Sequence, residues 1–289
     1  MQIIDNIPKM STLARIIKKD GKTIGLVPTM GYLHEGHLSL VRTAKKHMDV
    51  VIMSIFVNPI QFAPGEDFER YPRDLRRDEA LARDAGVDII FYPSEGQMYP
   101  AGHSTYVNVE GLTESLCGAS RPGHFRGVTT VVAKLFGIVK PDMAYFGQKD
   151  AQQAIVIKKM VEDLNMDIDL KILPTVREKD GLAMSSRNVN LSEEERGDAP
   201  ILYEALRRAE SLIGGGETDP KRIVRAMKDM IGEKKCAKID YISIVDTKKL
   251  KPVGAISGEV LLALAVFIGK TRLIDNIIVN PALSPSGKL

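Results

Sequence analysis

Two imidazoles three residues apart, His34 and His37, lie in the stretch Pro28-Thr29-Met30-Gly31-Tyr32-Leu33-His34-Glu35-Gly36-His37. Such a pair can ligate a metal, move a proton or grip an anion. Zinc-binding helix motifs space their histidines four apart, so the spacing of three argues against a metal site. The stretch joins an apolar run, residues 23–28, to residues 38–46, where Leu38, Val41 and Ala44 carry helical spacing. Unpaired N–H groups at a helix start favour anions, and glycines let the backbone approach a ligand closely. Imidazoles at such a place point to chemistry on a nucleotide. From these residues alone, the competing reading is a helix cap with two surface histidines.

Three more polar clusters stand out. Asn58-Pro59-Ile60-Gln61 and Gly147-Gln148-Lys149-Asp150 each follow an apolar run, and Met184-Ser185-Ser186-Arg187 offers two hydroxyls and a guanidinium suited to phosphate oxygens. Taken singly, each has an ordinary explanation: a loop amide, a charge pair at a helix start, a serine turn. Gly123-His124-Phe125-Arg126-Gly127 reads as a substrate-side loop or as a simple glycine-flanked turn. No Gly-x-x-x-x-Gly-Lys-Ser/Thr loop and no Gly-x-Gly-x-x-Gly fingerprint occurs, which weakens kinase and nicotinamide readings.

The elements needed to position these clusters follow from hydrophobic pattern. Residues 23–28 read as a buried strand stopped by Pro28, and residues 49–57 as a central strand covered on both faces. A charged amphipathic helix over residues 73–85 ends at Gly86, and residues 87–92 form the next strand before Pro93. The order β-α-β-α-β predicts an α/β fold: a Rossmann-like doubly wound parallel sheet, with its ligand crevice at the carboxyl ends of the strands. A strand is expected at residues 105–109, a buried helix at 128–139, strands at 143–147 and 169–173, and a helix at 151–164. The first domain is placed at residues 1–176. Residues 177–289 change character: a capping box at Ser192 opens one helix running towards Ile213, and Asp219-Pro220 starts another. Strand-like runs at 239–245, 260–267 and 272–279 then follow with no helix between them, predicting a smaller C-terminal α+β domain.

Bulk composition narrows the function. The chain has 289 residues, 44% hydrophobic and 27% charged, with 40 basic against 37 acidic residues. That balance implies neither a nucleic-acid coat nor a membrane-surface protein. Cys117 and Cys236 match no metal or redox spacing, and the first residues lack the blocks of a signal peptide. The longest apolar run, residues 260–268, is too short to span a bilayer. A cytoplasmic protein binding small molecules is the expectation.

Together the motifs resemble those of the pantothenate synthetases, the pantoate–β-alanine ligases. The resemblance rests on residues 27–40, on Phe56-Val57-Asn58-Pro59-Ile60-Gln61-Phe62, on 123–128, on Tyr145-Phe146-Gly147-Gln148-Lys149-Asp150, and on 174–178 with 181–188. The histidine turn is that family's version of the His-x-x-His signature of the nucleotidyltransferase superfamily, which includes class I aminoacyl-tRNA synthetases.

The resemblance implies roles residue by residue. ATP would be contacted by Met30, Gly31, Tyr32, Leu33, His34, Glu35, Gly36 and His37, with both histidines at the phosphates. Gly147, Gln148, Lys149 and Asp150 would bind the nucleotide, Lys149 at phosphate and Asp150 at the ribose. Val176, Met184, Ser185, Ser186 and Arg187 would complete the ATP site, from a second domain that closes over it. Gln61 and Gln153 would hold (R)-pantoate, and Gln61 would also meet β-alanine. His34, His37, Lys149, Ser185, Ser186 and Arg187 are the catalytic set. The family works as a homodimer on ATP with Mg²⁺, and no carboxylate in the motifs is an evident Mg²⁺ ligand, so the ion would ride on the triphosphate.

Chemically, a carboxylate and an amine need activation before they condense. The resemblance implies that the pantoate carboxylate attacks the α-phosphate of ATP, giving pantoyl adenylate and pyrophosphate, after which the β-alanine amine displaces AMP. Bringing an anion to an anionic phosphate relies on positioning and charge neutralisation. Rival readings are another adenylate-forming enzyme of the superfamily and a nucleotide-binding regulatory module without turnover.

Overall fold

Short, almost wholly apolar runs pair in parallel to form the larger sheet of the computed structural model, which describes residues 1–281. In chain order the elements are β1 (Gln2–Ile4), α1 (Ile7–Lys19), β2 (Ile24–Thr29), α2 (Glu35–Lys45), β3 (Val50–Ile55), α3 (Leu75–Ala85) and β4 (Ile89–Phe91). They continue as α4 (Glu95–Met98), α5 (Cys117–Ser120), α6 (His124–Val139), β5 (Met143–Gly147), α7 (Ala151–Asp163) and β6 (Asp169–Leu173). The last are α8 (Glu193–Asp198), α9 (Ile201–Gly214), α10 (Pro220–Gly232), β7 (Ala237–Asp246), β8 (Val260–Ile268) and β9 (Thr271–Val279).

The chain divides into two compact units. The first comprises Met1–Glu110, Arg121–Gln148 and Gln153–Val176; the second comprises Gly111–Ser120, Lys149–Gln152 and the residues from Arg177 onward. In the first, the strand order is β1-β4-β3-β2-β5-β6, all parallel, as the doubly wound reading requires. Helices α2 and α3 bury Leu40, Val41, Ala44 and Ala82 against Val27, Val51, Met53 and Ile90 of the sheet. Order reverses between β2 and β5, the place where open α/β sheets bind ligands.

In the second unit β7, β8 and β9 run antiparallel, with β8 in the middle. Helices α9 and α10 lay Leu202, Leu206, Ile213, Ile223 and Met227 on Leu262, Leu264 and Val266. Each such side chain contributes roughly 1.5–3 kcal/mol relative to exposure.

Several expectations need correction. Pro28 lies inside β2, opposite Ser54 of β3, instead of ending the strand. It shares the β5-facing side of β2 with Ile24 and Leu26, and pairing with β5 covers only Gly25 and Leu26, so its missing N–H removes no ladder bond. Residues 105–109 form no strand. The N–H of Val107 donates to the Thr130 hydroxyl at 3.0 Å and its carbonyl accepts from the Thr129 hydroxyl at 2.7 Å, so α6 takes the bonds a partner strand would use. The Gly123–Gly127 motif is no loop: Gly123 (φ +82°) caps α6, whose first turn contains the rest. The single helix expected from Ser192 to Ile213 is two, α8 and α9, because Pro200 lacks the N–H and crowds the preceding turn. The N-terminal β1 and α1 lie outside the elements expected from sequence, although Asn6 caps α1 and Met10, Ala14 and Ile17 mark its buried stripe.

Candidate active site

The carboxyl end of β2 turns sharply before α2, and the turn presents both histidines. Gly31 has φ +83° and Tyr32 φ +49°, left-handed conformations that glycine adopts freely and tyrosine does not. What holds Tyr32 there is Asp78, a carboxylate in α3 that is 1% exposed. Its oxygens accept the N–H of Tyr32 and the N–H of Leu33, each at 2.7 Å. Arg77 lies 4.7 Å over the Tyr32 ring. Burial pushes the Asp78 carboxyl up, against the pull of those two N–H groups. Gly31 is also sterically required, since a Cβ there would stand 2.9 Å from an Asp78 oxygen.

His34 is the N-cap of α2. Its Nδ1 accepts the Gly36 N–H at 3.1 Å, and Nδ1 of His37 accepts the His34 N–H at 3.3 Å. The two rings stack at 4.0 Å between centroids. The histidines thus form a reciprocal capping box while standing at an anion-favouring helix end, so the capping and phosphate readings coexist. The Glu35 carboxylate pairs with Arg42 one face along the same helix.

Gln61 sits in a built socket. Its side-chain oxygen accepts from Asn58 Nδ2 at 3.0 Å, and its Nε2 lies 3.2 Å from the Met30 sulfur. Asn58 is itself fixed, accepting from the Tyr99 hydroxyl at 2.7 Å and donating to the Gly127 carbonyl at 3.1 Å. Burial pushes the Tyr99 hydroxyl up, so it stays a donor. On the other side, the Gln61 carbonyl faces His124 Nδ1 at 2.8 Å and Arg121 Nη2 at 3.3 Å. Arg121 grips Glu66 with two bonds of 2.7 and 2.6 Å. Burial alone would raise the Glu66 carboxyl, but the Arg121 guanidinium outweighs it and holds it below the usual value.

The start of α6 touches this socket directly. A Cβ on Gly127 would lie 2.5 Å from the Ile60 carbonyl oxygen and 2.6 Å from the Gln61 Cα, both backbone atoms. Gly127→Ala is therefore expected to push the 59–61 turn away from α6. We expect a loss of about 1–3 kcal/mol in stability together with a raised KM for the ligand that the resemblance assigns to Gln61 and little change in KM for the nucleotide. Denaturant midpoints and initial rates check this; equal shifts in both KM values would count against it.

Gly147 closes β5 beside β2 in the sheet, and Gln148–Asp150 continue as one tight helical turn. Gln153 lies in α7 and Val176 is the last residue of the first unit. In the second unit, Lys149 Nζ stands 4.0 Å from the Asp150 carboxylate. The Ser185 hydroxyl accepts the Arg187 N–H at 3.2 Å, shaping residues 184–187 into a turn, and Ser186 is buried. Asn188 closes the base of that turn, donating to the Ala183 carbonyl at 3.2 Å and to Glu178 at 3.0 Å. Met30 and Gln61 are in contact, as are the two histidines.

Sequence reasoning missed Asp78, Arg121 and Glu66 altogether, and gave no role to Asn58 and Asn188 although both stand inside the quoted motifs. Only Asp78 left a signal: it falls on the same stripe of α3 as the buried Ala82, where an acid needs a partner. Among the described residues no cluster of three or more His, Cys, Asp or Glu side chains is arranged to hold a metal ion. Among them, too, no helix is long and apolar enough to cross a membrane.

Comparisons with known proteins agree over almost the whole chain. The sequence profile described as Pantoate-beta-alanine ligase matches residues 2–278. The pantothenate synthetase of Acetivibrio thermocellus is 61% identical over 97% of this chain and 100% of its own length. That of Caldicellulosiruptor bescii is 59% identical over 97% and 99%. Among solved structures, pantothenate synthetase from Thermus thermophilus superposes with a TM-score of 0.91 at 45% identity, covering 96% of this chain and 99% of that one. The pantoate-beta-alanine ligase from Francisella tularensis, solved with beta-gamma ATP and beta-alanine, gives a TM-score of 0.81 at 37% identity over 97% and 99%. With a family profile over residues 2–278, relatives 59% and 61% identical over 97% of the chain and a solved structure superposing at a TM-score of 0.91, this chain belongs to the pantoate-beta-alanine ligase family.

Proposed function

We infer that the chain condenses (R)-pantoate with β-alanine, using ATP, through a pantoyl adenylate. One observation carries the reading: the family match spans residues 2–278, a span that contains all the motifs on which the resemblance rests. ATP and β-alanine as substrates are further supported by the ligands of the Francisella tularensis relative.

In the first step the pantoate carboxylate attacks the α-phosphate of ATP. His34 and His37, at the helix start after β2, hold phosphate oxygens, and Lys149, Ser185, Ser186 and Arg187 neutralise the same charge. Met30, Gly31, Tyr32, Leu33, Glu35 and Gly36 supply the turn along which ATP lies; Gly147, Gln148, Asp150, Val176 and Met184 complete its binding. Gln61 and Gln153 hold pantoate. Since Asn58 occupies the Gln61 oxygen, Gln61 meets substrate mainly as an N–H donor, which suits a carboxylate. Since no carboxylate in the motifs is an evident ligand for it, Mg²⁺ would enter on ATP and would there neutralise phosphate charge. In the second step the β-alanine amine, arriving neutral near Gln61, attacks the acyl carbon and AMP leaves. We propose that the enzyme works in the cytoplasm as a homodimer.

Two assays test this. AMP should form from ATP only when pantoate and β-alanine are both supplied. Pantoate alone should drive ATP–pyrophosphate exchange. Exchange driven by an amino acid in place of pantoate would favour the synthetase-like rival, and ATP binding without AMP release would favour a regulatory module.

A further inference from the structure

Two neighbouring residues of β9 anchor two segments of the second unit that lie far apart in sequence. Asn276, 4% exposed, donates its Nδ2 to the backbone carbonyl of Lys149 at 2.8 Å. Next to it Asp275, 2% exposed, accepts both Nη groups of Arg177, at 2.6 and 2.9 Å. A two-pronged pair of this kind fixes orientation as well as distance. Arg177 is held further by the Gly181 carbonyl at 3.0 Å and by the Tyr203 ring, 3.8 Å from its guanidinium carbon.

Arg177 opens a chain reversal that bridges to Ala183, with the Glu178 N–H donating to the Leu182 carbonyl at 2.8 Å. Residues 184–187 start where that reversal ends, and Asn188 ties their far end back to Ala183 and Glu178. Arg196 braces the outside, bonded to Asp180 and Glu178 at 2.6 Å each. The frame of residues 184–187 is thereby referred to Asp275, and the frame of Lys149 to Asn276.

We propose that Asp275 and Asn276 are positioning residues for the activation of pantoate: one strand position sets the Ser185–Arg187 turn and the next sets Lys149. Neither needs to touch substrate. The proposal rests on the reading above that Lys149 and the serine-arginine turn handle ATP phosphates. Burying a polar pair on one strand carries a desolvation cost, and here the bonds it makes run to the two segments that would meet the phosphates. Small errors in such a frame are amplified in rate, because charge neutralisation depends on fixed geometry.

Asn276→Asp keeps the shape and removes the donor to the Lys149 carbonyl. Pantoate-dependent ATP–pyrophosphate exchange should fall by roughly 10- to 100-fold. The second half-reaction, measured with supplied pantoyl adenylate and β-alanine, should stay within about threefold, because it needs no triphosphate contact. Loss of both half-reactions in parallel would mean a merely structural role, and an unchanged exchange rate would overturn the proposal outright. If Asn276→Asp does not fold, Asn276→Ser, whose hydroxyl is too short to reach the carbonyl, is read in the same way. Absence of pantoate-driven exchange in the unaltered protein would instead refute the functional reading, a different result from either.

Discussion

Replacing His37 with alanine is expected to slow pantoate-dependent ATP–pyrophosphate exchange about 10²–10³-fold, the usual cost of removing one donor aimed at developing charge. The folded state should hardly notice. The bond by which the His37 ring accepts the His34 N–H is a long one, 3.3 Å, and an N-cap contact of that kind contributes about 0.5–1 kcal/mol. A large kinetic effect with a small stability effect separates a phosphate-binding imidazole from a capping one. His37→Asn sharpens the contrast by restoring a side-chain acceptor for the cap without the ring. It should be as stable as the parent and nearly as slow as the alanine variant. Exchange within threefold of the parent in His37→Ala would remove the ring from the chemistry.

The second large effect is expected at Asp78, which bears on the histidine turn through two backbone N–H groups. Asp78→Asn leaves one acceptor for two N–H groups and turns an amide N–H₂ towards a backbone donor. Each charge-assisted bond contributes about 1.5–3 kcal/mol, and an orphaned buried N–H costs about 1–3 kcal/mol. Against this, burial raises the Asp78 carboxyl above its ordinary value of 3.8, so keeping it ionised costs stability once the pH exceeds that value, and the amide escapes the cost. The two-bond loss outweighs it, for a net destabilisation of about 2 kcal/mol at neutral pH. Released from Asp78, Tyr32 leaves its left-handed conformation, and the histidines move with it. Exchange should therefore fall at least tenfold even under conditions where the variant is fully folded. Urea midpoints and exchange rates at matched folded fraction measure the two effects separately. A variant that is destabilised yet exchanges normally would show that the turn keeps its shape without Asp78.

These outcomes bear on what can be read from a chain of letters. The large sheet was legible because residues 50–55, 143–147 and 169–173 are short, apolar or tightly bounded, and because polar clusters follow them in the order a doubly wound sheet requires. The small sheet was legible from three runs without intervening helices. Residues 105–109 misled because Thr-Tyr-Val-Asn-Val has strand composition, while its backbone bonds go to two threonine hydroxyls twenty-odd positions away. Nothing local reveals that. Pro28 misled for the opposite reason: proline ends a strand only where a partner needs its N–H, and the pairing of β2 with β5 has already ended at Leu26. The candidate residues themselves were legible as types and spacing. Their supports were far less so: Asp78 shows only as an acid on the buried stripe of α3 beside Ala82, and Asn276 as one polar residue on an edge strand.

The capping box at the start of α2 has a consequence for where hydrogens sit. A ring nitrogen that accepts a backbone N–H carries no hydrogen of its own, and both His34 and His37 accept at Nδ1. In each neutral imidazole the hydrogen must then reside on Nε2. The helix backbone thus selects the tautomer of both rings before any substrate arrives, with the N–H of each on Nε2. An anion meeting those Nε2–H groups needs no prior proton uptake.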